Sequence, residues 1–260
     1  MANAMLIDTS KCNACRSCQV ACKQWNQLPA EKTKNRGTYE NPPSLSPKTW
    51  TKVGFKEVYQ DGQIKWLFTK RQCMHCTDAT CVKVCPTGAA QRTDQGSVII
   101  DQKKCTGCQI CVNNCPFEVP QYDESTNTVK KCWFCFDRVS NGLEPACAKT
   151  CPSGAIQFGS HDELVAAGKD RVAALVDRGY KKANLYGDAQ LDGLGFMYVL
   201  TEKPTVYGLP EDPQVPLSAI LWQDILKPVG AVAGGVTLVA LAASFFASLG
   251  YEQKAEKGGK

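Results

Sequence analysis

A chain of 260 residues can bury a sizeable core, and 43% hydrophobic residues excludes a disordered tail. Its sixteen cysteines are spread too thinly for the disulfide scaffold of a short secreted domain. The formal net charge of +5 counts every thiol as neutral, and without a basic stripe interleaved with aromatics it is no nucleic-acid footprint.

Met1 to Lys11 hold no apolar run of the kind that opens a signal peptide. The expectation is synthesis in the cytoplasm, where thiols stay reduced and cysteines usually mean metal or redox chemistry. From Cys12 onward the cysteines fall into four sets of four, an internal repeat. The first set is Cys12, Cys15, Cys18 and Cys22. Residues 28–50, rich in Pro, Asn, Thr and Lys, read as an ordered surface loop or contact arm. The second set is Cys73, Cys76, Cys81 and Cys85. Gly96-Ser-Val-Ile-Ile-Asp101 is a β-branched run between turn residues and reads as a strand. Cys105, Cys108, Cys111 and Cys115 form the third set; Cys132, Cys135, Cys147 and Cys151 form the fourth. Each set reads as a loop leading into a short helix.

Ser160 with Glu163 forms a capping box that opens a helix over 161–178, with Gly168 as the point where it could break. Leu164, Val165, Val172, Leu175 and Val176 recur at helical spacing, so this helix packs on the cysteine domain. Residues 187–216 are rich in Gly and Pro around a strand-like Phe196-Met-Tyr-Val-Leu200 and read as an extended strap. Val229 to Leu249 is an uncharged stretch of 21 residues, which at helical rise reaches roughly 30 Å, a bilayer's hydrocarbon thickness. Trp222 and Tyr251 flank it as interfacial aromatics. Lys254, Lys257 and Lys260 follow it and Lys227 alone closely precedes it, which by the positive-inside rule puts the tail in the cytoplasm and the cysteine domain on the opposite face. Gly230-Ala-Val-Ala-Gly234 is a small-x-x-x-small pattern on which a second helix can pack. The expected class is α+β, divided into a cysteine domain (1–180), a strap or linker (181–226), a transmembrane helix (227–250) and a charged tail (251–260).

A [4Fe–4S] cube needs four thiolates, and C-x-x-C-x-x-C lets one loop wrap three corners; in two-cluster ferredoxins the remote cysteine, usually followed by proline, serves the other cube. Sets one and three keep the C-x-x-C-x-x-C-x-x-x-C spacing, while sets two and four widen the second gap. Cys85, Cys115 and Cys151 precede proline; Cys22 precedes Lys23. Zinc is the chemical rival, because C-x-x-C is also a zinc-knuckle spacing. Zinc ribbons, however, have no use for a third cysteine at x-x-C or for a remote Cys-Pro. If each all-cysteine cube leaves about −2 on the protein, four of them turn +5 into roughly −3. The basic excess then compensates buried cluster charge.

The chain resembles the iron–sulfur β subunits of membrane-bound formate dehydrogenases, within the wider family of four-cluster partners of molybdopterin or tungstopterin oxidoreductases. The resemblance rests on Cys18-Gln-Val-Ala-Cys-Lys-Gln-Trp-Asn26, Cys73-Met-His-Cys76, Asp137-Arg-Val-Ser140, Glu144-Pro-Ala-Cys-Ala-Lys-Thr-Cys-Pro152, Met197-Tyr-Val-Leu200 and Tyr207-Gly-Leu-Pro-Glu-Asp-Pro213. It implies two pseudo-symmetric ferredoxin-like halves with cross-paired ligands. One half would hold Cys12, Cys15 and Cys18 with Cys151, and Cys132, Cys135 and Cys147 with Cys22. The other would hold Cys73, Cys76 and Cys81 with Cys115, and Cys105, Cys108 and Cys111 with Cys85. Four complete cubes are implied, since no position is replaced by tryptophan. The resemblance also implies a non-catalytic electron-transfer subunit in the inner membrane, single-pass, with its clusters on the periplasmic face. Its partners would be a pterin catalytic subunit, facing the Cys12 and Cys132 half, and a quinone-reactive cytochrome b-type membrane subunit facing the other. The equivalent subunit of a sulfur-compound, nitrogen-oxide or sulfoxide reductase is the rival within the same class.

The two histidines, His75 and His161, lie outside the apolar helix, so this chain cannot ligate a membrane haem. His75, between Cys73 and Cys76, either donates to a cluster sulfur or is a packed side chain; His161 is a first-turn helix residue. Of the cations near cysteines, Lys11, Arg16, Lys23, Lys103, Lys104, Lys130, Lys131, Arg138 and Lys149, some would stabilise reduced clusters and others are solvated. No nucleophile with a base, Walker loop or Rossmann glycine pattern is present, and Asp137 beside Arg138 is a structural pair by default.

Overall fold

The computed structural model describes residues 2–60 and 62–258. The chain divides between Val215 and Pro216 into two compact units.

In the first unit, β1 (Asn3–Asp8) runs into the first cysteine loop and α1 (Ser17–Trp25). A long hairpin follows, β2 (Lys52–Gln60) and β3 (Gln63–Arg71), then α2 (Thr80–Lys83) and the short hairpin of β4 (Ala90–Arg92) and β5 (Val98–Ile100). Next come α3 (Ile110–Asn113), the hairpin of β6 (Gln121–Asp123) and β7 (Thr128–Lys130), α4 (Phe136–Val139) and α5 (Ala146–Lys149). The unit closes with β8 (Ile156–Ser160), α6 (His161–Asp177), β9 (Asn184–Tyr186) and β10 (Phe196–Leu200). The α+β class and the short helix after each cysteine loop are as expected from sequence.

The organising element is a four-stranded sheet in the order β8-β1-β10-β9. Its inner strands β1 and β10 are parallel, with Met5 opposite Phe196 and Ile7 opposite Tyr198. Because side chains alternate along a strand, each inner strand feeds two cores. Ala4, Leu6, Met197 and Val199 pack with Leu164 and Leu175 of α6. Met5, Ile7, Phe196, Tyr198 and Leu200 face the other way and pack with Cys18, Cys132, Cys147 and Phe134. The cysteine loops are therefore built on one face of the sheet, and the helix covers the opposite face.

Two expectations are corrected. Residues 181–226 are not one extended strap, because Phe196–Leu200 is an inner strand of the sheet and each of its five residues is fully buried. A run apolar on both faces belongs between two layers, and its Gly and Pro neighbours are turns. The segment after β10 stays tied to the sheet: the Tyr207 hydroxyl meets Thr9 and Thr201, and the Tyr186 hydroxyl donates to Pro210 O at 2.7 Å. The cysteine unit thus extends to Val215. Nor does Gly168 break α6, which runs unbroken for 17 residues. A Cβ there would lie 2.7 Å from Leu185 Cδ1, so the glycine lets helix and sheet approach. The capping box closes only in part: Ser160 is the N-cap residue, but its side chain makes no capping bond, and His161 N donates to Ala2 O at 3.1 Å.

The second unit is helical: α7 (Leu217–Leu221), a π-helical stretch over Trp222–Leu226 and α8 (Lys227–Gly258). Within α8, Pro228–Phe246 has a mean hydropathy of 2.0 and is long and apolar enough to cross a membrane. The residues expected as a charged tail continue this helix to Gly258, and Lys260 lies outside the described residues.

Candidate metal centres

The four cysteine loops share a backbone device. In each first C-x-x-C the second intervening residue is left-handed: Ala14 at φ 54°, His75 at φ 49°, Gly107 at φ 69° and Phe134 at φ 67°. Arg16, Gln109 and Cys135 add a further left-handed residue in three of the loops. Such conformations cost non-glycine residues about 1–2 kcal/mol each. They turn successive backbone N–H groups toward one point, forming the concave nests that bind anions and iron–sulfur clusters. Backbone amides also reach the sulfurs directly, Ala90 N to Cys85 Sγ and Val129 N to Cys105 Sγ, each at 3.4 Å.

The thiols gather across the sequence sets. Cys12 has Cys151 and Cys15 as electrostatic neighbours, and Cys18 has Cys12 and Cys15. Cys22 leaves its own set and lies with Cys132, Cys147 and Cys135. Cys76 neighbours Cys73, Cys115 and Cys81, and Cys111 neighbours Cys108, Cys105 and Cys85. Each remote cysteine therefore sits beside the partner set. The four groups also lie within electrostatic reach of one another in a fixed order: Cys18 neighbours Cys147, Cys132 neighbours Cys73, and Cys81 neighbours Cys111. The result is a row running Cys12 set, Cys132 set, Cys73 set, Cys105 set. Its middle thiols Cys132, Cys135, Cys147 and Cys73 are buried, whereas Cys15 and Cys108, in the two end groups, are exposed.

The donor set suits a cubane cluster. Each group brings together four thiols, three from one loop and one from the partner set, which is the ligand count of a [4Fe–4S] cube. Burial pushes the thiols of Cys18, Cys81, Cys111 and Cys132 up to about 12 and that of Cys135 up to about 11. Against its burial, hydrogen bonds from Ala90 and Thr87 bring the Cys85 thiol down. Thiols raised so far keep their protons in neutral water, so the ligand form needs the positive charge of iron, and metal binding releases those protons.

Of the two histidines, His75 is wholly buried, its ring stacked on Phe134 at 5.0 Å and on Phe196 at 5.3 Å. Its Nδ1 accepts from Val98 N at 2.9 Å, which leaves the proton on Nε2, and that buried atom has no partner among the described residues. A leftover donor of this kind is one that a sulfide acceptor would satisfy. Desolvation holds the ring well below the usual imidazole range, so it is neutral. His161 lies in the first turn of α6, beside Asp162. Asp137 and Arg138 both serve Trp25: the indole donates to Asp137 Oδ2 at 2.9 Å, and the guanidinium lies 4.3 Å over the ring.

Two features escaped sequence reasoning. Three of the four left-handed loop positions are not glycine, so only Gly107 advertised the nest. Lys70, on the edge of a polar-looking strand, is 2% exposed and sits among Cys147, Cys18 and Cys132.

Two family models, each described as a 4Fe-4S dicluster domain, match residues 11–89 and 64–161. The formate dehydrogenase iron-sulfur subunit of Haemophilus influenzae is 46% identical over 245 residues, covering 92% of this chain and 78% of that protein. The iron-sulfur subunit of the nitrate-inducible formate dehydrogenase of Escherichia coli is 44% identical over 242 residues, 92% of this chain and 82% of that protein. Formate dehydrogenase 2 subunit beta (cytochrome c-553) of Nitratidesulfovibrio vulgaris is 38% identical over 216 residues, 80% of this chain and 97% of that protein.

Proposed function

The chain belongs to the iron–sulfur subunits of formate dehydrogenase, and from that premise we propose that it conducts electrons through four [4Fe–4S] clusters, from a formate-oxidising molybdo- or tungstopterin subunit to a quinone-reactive membrane partner. It is an electron-transfer subunit and not the catalytic one. The bound cubes supply reversible one-electron storage. The residues proposed to hold them are Cys12, Cys15, Cys18 and Cys151; Cys132, Cys135, Cys147 and Cys22; Cys73, Cys76, Cys81 and Cys115; and Cys105, Cys108, Cys111 and Cys85.

The observation that carries this reading is the row of four thiol groups, with all four thiols of the second group, Cys132, Cys135, Cys147 and Cys22, buried and one exposed thiol, Cys15 or Cys108, in each end group. A conductor needs that layout: interior sites shielded from water and a surface site at each end for exchange with a partner. The Cys12 and Cys132 half would face the catalytic subunit and the Cys73 and Cys105 half the membrane partner. Helix α8 would anchor the chain by a single pass, with the clusters on the periplasmic face; Pro228–Phe246 supports a span by length and hydropathy.

The test is the purified complex. Formate should bleach the visible absorbance of this chain's clusters in the complex and leave the isolated subunit unchanged. Deleting the chain from Val229 onward should preserve that bleaching and, in cells lacking the membrane partner, should move this chain with its catalytic subunit from the membrane to the soluble fraction. Bleaching of the isolated subunit would contradict the division of labour, and a truncated chain that stayed on the membrane without that partner would contradict the anchor.

A further inference from the structure

Two lysines lie in the interior where neutral side chains are expected. Lys70 is 2% exposed and Lys131 is 5% exposed, and among the described residues neither ion-pairs with a carboxylate. An unpaired buried ammonium costs several kcal/mol, so each needs negative charge from another source.

Both ammonium groups are held in the same manner. Lys70 Nζ donates to Thr51 Oγ1 and to Gln72 Oε1, each at 3.0 Å. Gln72 Nε2 donates to the Tyr198 hydroxyl at 2.7 Å, which in turn donates to Lys70 O at 2.7 Å, closing a ring that fixes the side chain. Lys131 Nζ donates to Val98 O and, at 3.1 Å, to Cys132 O. An ammonium has three donors, so each lysine has one left. For Lys131 the surroundings are the thiols of Cys73, Cys81 and Cys132. For Lys70 the surroundings are the Phe196 ring, 5.2 Å from Nζ, and the thiols of Cys147, Cys18 and Cys132. Lys70 thus stands between the first and second groups of the row. Lys131, with Cys73, Cys81 and Cys132 around it, stands between the second and third. Neither is among the principal groups acting on Cys111 or Cys85 in the fourth.

We propose that Lys70 and Lys131 are fixed cations set between neighbouring clusters, where they raise the reduction potentials of the first three members of the row relative to the Cys105 cluster. Adding one electron to a cube adds one negative charge, and a cation nearby in a low-dielectric interior stabilises that reduced form. The cluster of the Cys132 set, flanked by both lysines, receives the larger effect. Lys70 and Lys131 are positioning charges and not ligands, and the inference rests on the four-cluster reading above.

The test is a redox titration of the holo complex, followed by the magnetic spectra of the reduced clusters. Lys70→Met should lower the potentials of the Cys12 and Cys132 clusters, Lys131→Met those of the Cys132 and Cys73 clusters, and neither should move the Cys105 cluster. Lys70→Arg and Lys131→Arg keep the charge and should restore the wild-type order. If a Met variant loses its clusters while the Arg variant keeps them, the requirement for charge stands. Unchanged potentials in the Met variants, or clusters lost equally in Met and Arg variants, would overturn the inference. Wild-type protein lacking four clusters would instead reject the reading beneath it.

Discussion

Cys22→Ala is expected to convert or remove the cluster of the Cys132 set while leaving the cluster of its own sequence neighbours intact. Cys22 lies one helical turn beyond Cys18 on α1, so by chain position it belongs with Cys12, Cys15 and Cys18. Helix α1 packs against α5, however, and buries Cys22 to 7% exposure beside Cys132, Cys147 and Cys135. Without that thiolate the cube loses one corner, and its iron is lost or the cluster survives with three irons. Magnetic spectra of the variant should lack the Cys132 signal, or show an oxidised three-iron species in its place, with the Cys12 signal unchanged. Loss of the Cys12 signal alone would refute cross-pairing. Because the Cys132 cluster is the second of the row, electron flow from formate to the membrane partner should fall by orders of magnitude.

A second large effect is expected from Gly107→Ala. Gly107 has φ +69°, where alanine already costs about 1–2 kcal/mol. A Cβ there would lie 2.5 Å from Asn127 O and 2.6 Å from Asn127 Oδ1. Asn127 has little room to yield: it occupies the turn between β6 and β7, and its side chain accepts from the Tyr122 hydroxyl at 2.7 Å. The loop between Cys105 and Cys108 must therefore shift, opening the nest of the outermost cluster. The variant should keep three clusters, lose the Cys105 cluster and stop electron delivery at the membrane end. Gly142→Ala is the control: φ is +70°, yet nothing lies within 4 Å of the added Cβ. It should cost about 1 kcal/mol in thermal unfolding and leave every cluster in place. Equal cluster content in both variants would show that the Gly107 contact does not shape the site.

The sequence carried the site further than the fold. The cysteine spacing is a local signal, because the reach of one loop limits which thiols can meet, and the grouping in threes was legible from it. The partner of each remote cysteine was not local: Cys22 and Cys132 are brought together by the packing of α1 on α5 and by side-chain bonds between segments far apart in the chain, such as Trp133 Nε1 to Asn26 Oδ1 at 2.7 Å, and this pairing was open to resemblance alone. Phe196–Leu200 was recognised as strand-like, but its Gly- and Pro-rich setting concealed an inner strand pairing in parallel with the N-terminus. That pairing spans nearly the whole unit and leaves no mark on nearby residues. Lys70 illustrates a harder case. A lysine on a strand reads as solvent-facing, and only the thiols brought around it by the fold explain its burial.

The most direct measurement is iron and acid-labile sulfide per chain in the intact purified protein, read with its visible spectrum. The account predicts about sixteen of each, four cubes on four thiolates apiece, and a brown colour that formate bleaches through the complex. A colourless holoprotein without labile sulfide, or one holding zinc in place of iron, would contradict it.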